Sequence, residues 1–190
     1  MRVLVACEFS GTVREAFAAK GHDAWSCDLL PTERPGQHIQ GDVLNVMQQG
    51  WDLMVAHPPC TYLAVSGARW WAGRQKEQAD AVEFAVTLLH APIEKIAIEN
   101  PIGKLSTVIG RPTQIIQPHW FGHPESKATC LWLKNLPPLK PTDRLQPPAS
   151  GRWSNQTPSG QNKLGPSPNR WRERSRTYSG IAAAMAEQWG

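Results

Sequence analysis

The chain has 190 residues and a formal net charge of +4, from 20 Lys and Arg against 16 Asp and Glu. That length suits one domain with a real core, no apolar run is long enough to span a membrane, and no signal peptide precedes the first strand. Its 4 cysteines (Cys7, Cys27, Cys60 and Cys130) lie far apart without zinc or redox-motif spacing, so they read as reduced thiols in a cytoplasmic setting.

Residues 2–8 form an apolar run that reads as a strand ending in Phe9-Ser10-Gly11. Residues 12–20 then carry helical periodicity through Val13, Ala16 and Phe17, with Gly21 as the C-terminal stop. A second short strand covers residues 23–29 and carries Asp28 at its end. Gly41-Asp42-Val43 opens another short element, and residues 51–56 form a buried strand that runs into Pro58-Pro59-Cys60. The longest helix is expected over residues 75–90, where Ala79, Val82, Val86 and Leu89 make one stripe beside Ala85 and Leu88. Residues 93–98 read as a strand ending at Glu99-Asn100-Pro101, with further strands over 113–117 and 128–133. Strands alternating with helices at this spacing imply an α/β fold with a parallel sheet wound on both faces. From Pro137 to Arg170 the chain is rich in Pro, Ser, Asn, Gln and Gly without apolar periodicity, and a short helix returns over 178–189. No internal repeat is present.

Ligands of open α/β sheets bind outside the carboxyl ends of the strands. Cys60 and Glu99 each follow a buried strand directly, so both can face one substrate. Cys60 follows two prolines that fix its loop, a setting for a nucleophile whose attacking form is the thiolate. Burial of Glu99 is expected to raise its pKa and let it donate a proton, with Asn100 orienting it. The Glu8-Phe9-Ser10-Gly11 loop opens a helix whose free amides suit an anion or carboxylate. Asp28 suits ribose hydroxyls and Asp42 an adenine amino group. His119 and His123 lie a turn apart, but Gly122 and Pro124 argue against the helix that would align them, so no metal site is expected. Arg144, Arg152, Lys163, Arg170, Arg172, Arg174 and Arg176 face a single acid, Glu173, in a stretch that suits a polyanion.

The ordered set Glu8-Phe9-Ser10-Gly11, Asp28, Gly41-Asp42-Val43, Pro58-Pro59-Cys60 and Glu99-Asn100-Pro101 resembles the cytosine-5 DNA methyltransferase family. The resemblance implies a Rossmann-like S-adenosylmethionine-dependent methyltransferase fold and a covalent adduct of Cys60 with carbon 6 of cytosine. It implies Glu99, Asn100 and Lys127 as catalytic partners, Lys127 standing where the family carries an arginine-rich strand. Around S-adenosyl-L-methionine it implies Glu8, Phe9 (against the adenine face), Ser10, Gly11, Asp28, Asp42 and Pro58, with Ser179 and Ile181 closing the pocket. Residues 1–136 then form the catalytic domain, 137–176 a reduced DNA-recognition region, and 177–190 a helix completing the cofactor pocket. Arg152, Trp153, Lys163, Arg170, Trp171, Arg172 and Arg174 are the expected contacts to duplex DNA with a flipped cytosine. The chain departs from the family pattern at Val13, Thr61 and Thr129, and its recognition region is short, as suits a phage or mobile element.

Three alternatives stand beside this reading: the same chemistry on RNA or a free nucleotide, a modified cofactor delivering a larger group, and a nucleic-acid-binding accessory subunit without turnover. A homo-oligomer or a separate recognition partner is left open by the sequence.

Overall fold

The computed structural model describes residues 1–160 and 162–190, with Trp70 described for its backbone alone. Strands β1 (Arg2–Ala6), β2 (Asp23–Asp28), β3 (His38–Gln40), β4 (Leu53–Ala56), β5 (Lys95–Pro101), β6 (Gln114–Ile116) and β7 (Thr129–Lys134) accompany helices α1 (Thr12–Ala19), α2 (Gln75–Leu89), α3 (Leu105–Val108), α4 (Arg170–Ser175) and α5 (Ser179–Trp189). The strands form one sheet in the order β3-β2-β1-β4-β5-β7-β6. The first five run parallel, and β7 is antiparallel to both β5 and β6.

Side-chain alternation along the strands explains the layers. Leu4 and Ala6 of β1 join Met54 and Ala56 of β4 on one face, where Ala85 and Leu88 of α2 cover them. Val3, Val5, Leu53 and Val55 point the other way, onto Val13 and Phe17 of α1 and Ile181, Met185 and Trp189 of α5. Full burial of each large apolar side chain contributes about 1.5–3 kcal/mol, enough to fix which face each helix covers. The mostly parallel, Rossmann-like α/β sheet with helices on both faces is the architecture the sequence pattern implies.

Three elements differ from the sequence reading. Strand β5 does not stop at Ile98: Glu99 pairs with Leu131 and Asn100 with Cys130 of β7, so both site residues lie within a hydrogen-bonded strand. The antiparallel neighbour extends the ladder past the point where β4 ends. Strand β3 was unmarked because it is a short edge strand whose apolar content is Ile39 alone. Helix α4 forms just past the stretch read as irregular, before the helix expected over 178–189. It buries no residue, so no apolar stripe announced it.

The remainder of 137–169 lacks long elements but is fastened in place. Gln114 bonds both backbone groups of Leu139, at 2.8 Å each. Gln188 does the same for Lys140 and Asn155 for Ser126. Each side-chain amide stands in for one rung of a backbone ladder. Among the described residues, no helix is long and apolar enough to cross a membrane.

Candidate active site

The chain winds from β1 outward to β2 and β3, then crosses back to β4 and β5, so the crevice at the carboxyl ends of β1 and β4 is the place for a ligand. A pocket of about 480 Å³ opens there. Its walls include Cys7 after β1, Cys27 and Asp28 from β2, Gly41 and Asp42 after β3, Pro59 and Tyr62 after β4, and Asp80, Ala81 and Phe84 of α2. Asp28 is half-buried and one of its oxygens accepts the Leu30 N–H at 2.9 Å. Desolvation outweighs that bond and the nearby His38 charge, and pushes its carboxyl up. Asp42 is exposed and caps a 3-10 turn by accepting the Leu44 N–H at 3.0 Å. Its acid and that of Asp28 share one pocket.

Beside this pocket the Pro58-Pro59-Cys60 loop is tied to the end of β5. The His57 N–H bonds the Ala6 carbonyl at 2.9 Å, prolonging the β1–β4 ladder by one rung. The Cys60 carbonyl accepts from Leu63 and Ala64, which closes the turn and leaves Cys60 exposed. Gly103 packs against the Leu63 carbonyl so closely that a Cβ there would collide with it. Asn100 Nδ2 donates to the Pro58 carbonyl at 2.9 Å. Asn100 therefore holds the cysteine loop; the expectation that it orients Glu99 is corrected.

Glu99 is almost enclosed and its Oε2 lies 2.8 Å from His57 Nδ1. Burial pushes this carboxyl up, but the hydrogen bond from His57, the His57 charge and Lys127 together outweigh it and hold the group below its ordinary value. Glu99 is thus kept ionised, against the expectation that burial makes it a proton donor. Cys60 shows the opposite balance. Desolvation of the sulfur and the Glu99 charge push its thiol up, against the opposing pull of Lys127 and Arg174. Lys127 reaches both groups electrostatically while its Nζ donates to the Arg174 carbonyl at 3.0 Å.

The first loop departs from its expected role. Glu8 is buried, and its carboxylate accepts the Val13 and Arg14 N–H groups at 2.7 and 3.2 Å and the Ser10 hydroxyl at 3.1 Å. The anion site at the start of α1 is filled by the chain's own carboxylate. Glu8, Phe9 and Ser10 instead border a small cavity of about 40 Å³ with Cys7, His57, Ser175 and Thr177. Phe9 is absent from the walls of the large pocket; it packs 5.8 Å from Trp171, with Arg172 over its ring at 5.7 Å. Gly11 starts α1 at φ 72° and Pro58 is buried beneath the cysteine loop.

Ser179 and Ile181 do not close the large pocket. Ser179 Oγ lies 3.4 Å from His123 Nε2, and Ile181 is buried with α1 on the opposite face of the sheet. The apolar content of α5 draws it into that core, away from the strand ends.

The basic segment divides in two. Trp171, Arg172 and Arg174 of α4 come to the site, through Phe9, through the Glu33 carboxylate 3.5 Å from Arg172, and through Lys127. Arg176 adds two bonds to Glu33, at 3.0 and 2.9 Å. Arg170 opens α4. Trp153 stacks on His119 at 4.2 Å, Lys163 donates to the Ser154 carbonyl, and Arg152 is exposed. His123, the other histidine of that pair, accepts the Gly180 N–H.

Two residues of consequence were not singled out from the sequence. His57 falls between the strand over 51–56 and Pro58-Pro59-Cys60 and carries no pattern of its own, and Glu33 lies in an irregular loop with no periodicity to mark it.

No protein-family model matches the sequence, and no curated protein matches it either. Among solved structures, the fold is similar to a crystal structure described as a candidate DNA modification methyltransferase encoded within a prophage, from E. coli. The TM-score is 0.50 at 13% identity, over 76% of this chain and 52% of that one, so the chain spans about half the length of the protein it matches. At that identity the likeness carries the fold: an α/β, Rossmann-like sheet shared with a methyltransferase candidate.

Proposed function

We propose that this chain transfers a methyl group from S-adenosyl-L-methionine to carbon 5 of cytosine in DNA, through a covalent adduct on Cys60. The observation that carries the reading is the convergence of Cys60, Glu99 and Lys127, from three separate stretches of chain, beside the pocket that holds Asp28 and Asp42. The prophage methyltransferase candidate of like fold supports it.

The large pocket fits the cofactor's chemistry. Asp28 and Asp42 accept from hydroxyl and amino groups, while Leu29, Val43, Ala81 and Phe84 supply apolar walls. Bound there, the cofactor supplies a methyl group carried on a positively charged sulfur. Cys60 does the covalent work. Its thiol loses a proton to solvent, with the cations of Lys127 and Arg174 offsetting part of the desolvation and the Glu99 charge that oppose it, and the sulfur bonds to carbon 6 of the ring. The electron pair of the 5,6 double bond makes carbon 5 nucleophilic, with the charge shared by the ring nitrogen and carbonyl. After methylation carbon 5 gives its proton to solvent, the double bond re-forms, and the Cys60 thiolate leaves. Glu99 accepts from the exocyclic amino group and fixes the orientation of the base, while the cation of Lys127 offsets the negative charge that develops on the ring.

A base inside a duplex is beyond reach of such a site, so it must be extruded at a cost of about a few kcal/mol. Arg170, Trp171, Arg172 and Arg174 lie on the site side of the basic segment. With Arg152, Trp153 and Lys163 they supply phosphate contacts and stacking surfaces. Residues 1–136 then carry the chemistry and 137–176 the contact with DNA.

The test is incubation with duplex DNA, RNA or deoxycytidine nucleotide and labelled cofactor, followed by mass analysis of nucleosides. The expected result is 5-methylcytosine in DNA, absent with Cys60→Ala, and a trapped adduct on 5-fluorocytosine DNA. Methylation that survives Cys60→Ala, or label in RNA or nucleotide alone, overturns it.

A further inference from the structure

Glu99 has a partner that the proposed mechanism does not use. His57 follows β4 directly, immediately before the Pro58-Pro59-Cys60 loop, and its own N–H is fixed to the Ala6 carbonyl. Its side chain is 9% exposed and that of Glu99 13%. Nδ1 lies 2.8 Å from Glu99 Oε2. The other ring nitrogen, Nε2, has no hydrogen-bond partner among the described residues. With the Glu99 carboxylate as acceptor, Nδ1 carries the proton of this bond and donates it. With Oε2 held in this way, one oxygen, Oε1, is left for a substrate. Glu99 stands on β5 and His57 directly follows β4, its backbone held to β1 by the Ala6 carbonyl, and Asn100 ties the end of β5 to Pro58.

We propose that His57 is a positioning residue for Glu99, whose Nδ1–H pins Oε2 and aims Oε1 at the amino edge of the pyrimidine that Cys60 attacks. This rests on the reading of Cys60 and Glu99 as a cytosine site. An ionised oxygen accepts from a ring amino group, whereas a protonated carboxyl turned by free rotation presents a donor half the time. A carboxylate misplaced by about 1 Å costs up to roughly a hundredfold in rate, so a fixed orientation matters as much as charge.

The groups that face Glu99 are His57 at the end of β4, Lys127 ahead of β7, Cys60 in the loop after β4, and Cys130 on β7. Removing His57 leaves burial opposed by Lys127 alone. Glu99 then takes up a proton at higher pH than in the native protein.

The experiment uses the full chain with ¹³C-labelled glutamate. The Glu99 carboxyl resonance, assigned with Glu99→Gln, is titrated in the native protein, in His57→Leu and in His57→Asn. The asparagine amide keeps an N–H near the position of Nδ1. The expected result is a midpoint at least about one pH unit higher in His57→Leu, equivalent to a tenfold change in proton affinity, with His57→Asn closer to native. Methyl transfer follows the same order: His57→Asn retains activity within about tenfold, while His57→Leu loses about a hundredfold in kcat with thermal unfolding unchanged. An unmoved midpoint in His57→Leu, or equal rates for the two variants, overturns the proposal. If the midpoint moves as expected while no substrate is methylated by the native chain, the reading of the function falls and the His57–Glu99 pairing stands.

Discussion

The two ends of the site are held by different physics. On one side Cys60, His57 and Glu99 hang from parallel and antiparallel ladders in the middle of the sheet, where every neighbouring strand fixes their backbone. On the other side, α4 and the residues just after it reach the same crevice without a strand, at the end of a segment that lies along the surface. The segment and the helix are attached by amide side chains, by the stack of Trp153 on His119, and by the Glu33 carboxylate gripping Arg172 and Arg176. A ladder opens only when the sheet does, whereas a local attachment opens at a much smaller free energy. The rigid side carries groups that suit bond making. The adjustable side carries the Arg and Trp residues that suit a nucleic acid.

Cys60→Ala gives the sharpest form of that contrast. The residue is exposed and packs nothing in the core, so unfolding free energy is expected to stay within about 0.5 kcal/mol of native. Methyl transfer is expected to fall by at least about a thousandfold, because the nucleophile has no substitute. Calorimetry and labelled-methyl incorporation read the two. A large loss of stability with activity retained would break the assignment of chemistry to this loop.

Gly103→Ala probes the rigid side directly. The added Cβ meets the Leu63 carbonyl, backbone that cannot give way like a flexible side chain, so the Cys60 loop must shift. The expected cost is about 1–3 kcal/mol of stability with a loss of activity near a hundredfold. Urea unfolding and rate measurement check it. Native activity in Gly103→Ala would show that the cysteine loop is no more exactingly placed than the basic segment.

Asn155→Ala is the matching cut on the adjustable side. It removes both bonds to Ser126 and leaves those backbone groups half-exposed to water, so about 1 kcal/mol is expected. DNA affinity is expected to drop more than turnover of bound DNA does. Filter binding and single-turnover rates separate the two.

How far the sequence disclosed this molecule follows the same division. Buried strands announce themselves because both faces are covered, which makes Val3-Leu4-Val5-Ala6 and Leu53-Met54-Val55-Ala56 continuous apolar runs. The nearness of Cys60 and Glu99 was legible because each lies at or just past the end of such a run. What lay hidden was decided by partners far along the chain. The extension of β5 through Glu99 needs β7, and the bond that holds the Glu99 carboxyl needs His57. Glu8 was read as a ligand contact because an acidic residue near a helix start serves equally as its cap, and sequence alone does not separate those roles. The amide bridges of Gln114, Asn155 and Gln188 were illegible for a related reason. A glutamine that replaces a ladder rung carries no periodicity.

Glu33→Ala has the smallest expected effect and tests how lightly α4 is held. Glu33 is mostly buried, but Arg172 and Arg176 remain nearly half exposed, so solvent screens both pairs. Such pairs contribute about 0–1 kcal/mol, and a change of that size lowers Tm by no more than about 2–4 °C in a chain of this length. The local effect is larger in proportion. Losing about 1 kcal/mol from the attachment of α4 raises the open population roughly fivefold, so trypsin is expected to cut at Arg170–Arg176 several times faster while cleavage within the sheet is unchanged. High salt weakens the native pairs and is expected to shrink the difference between variant and native protein. Unchanged cleavage would mean that the contact of Trp171 with Phe9 holds α4 by itself. The helix would then belong with the rigid side of the site, and Phe9→Ala, not Glu33→Ala, would be the substitution that frees it.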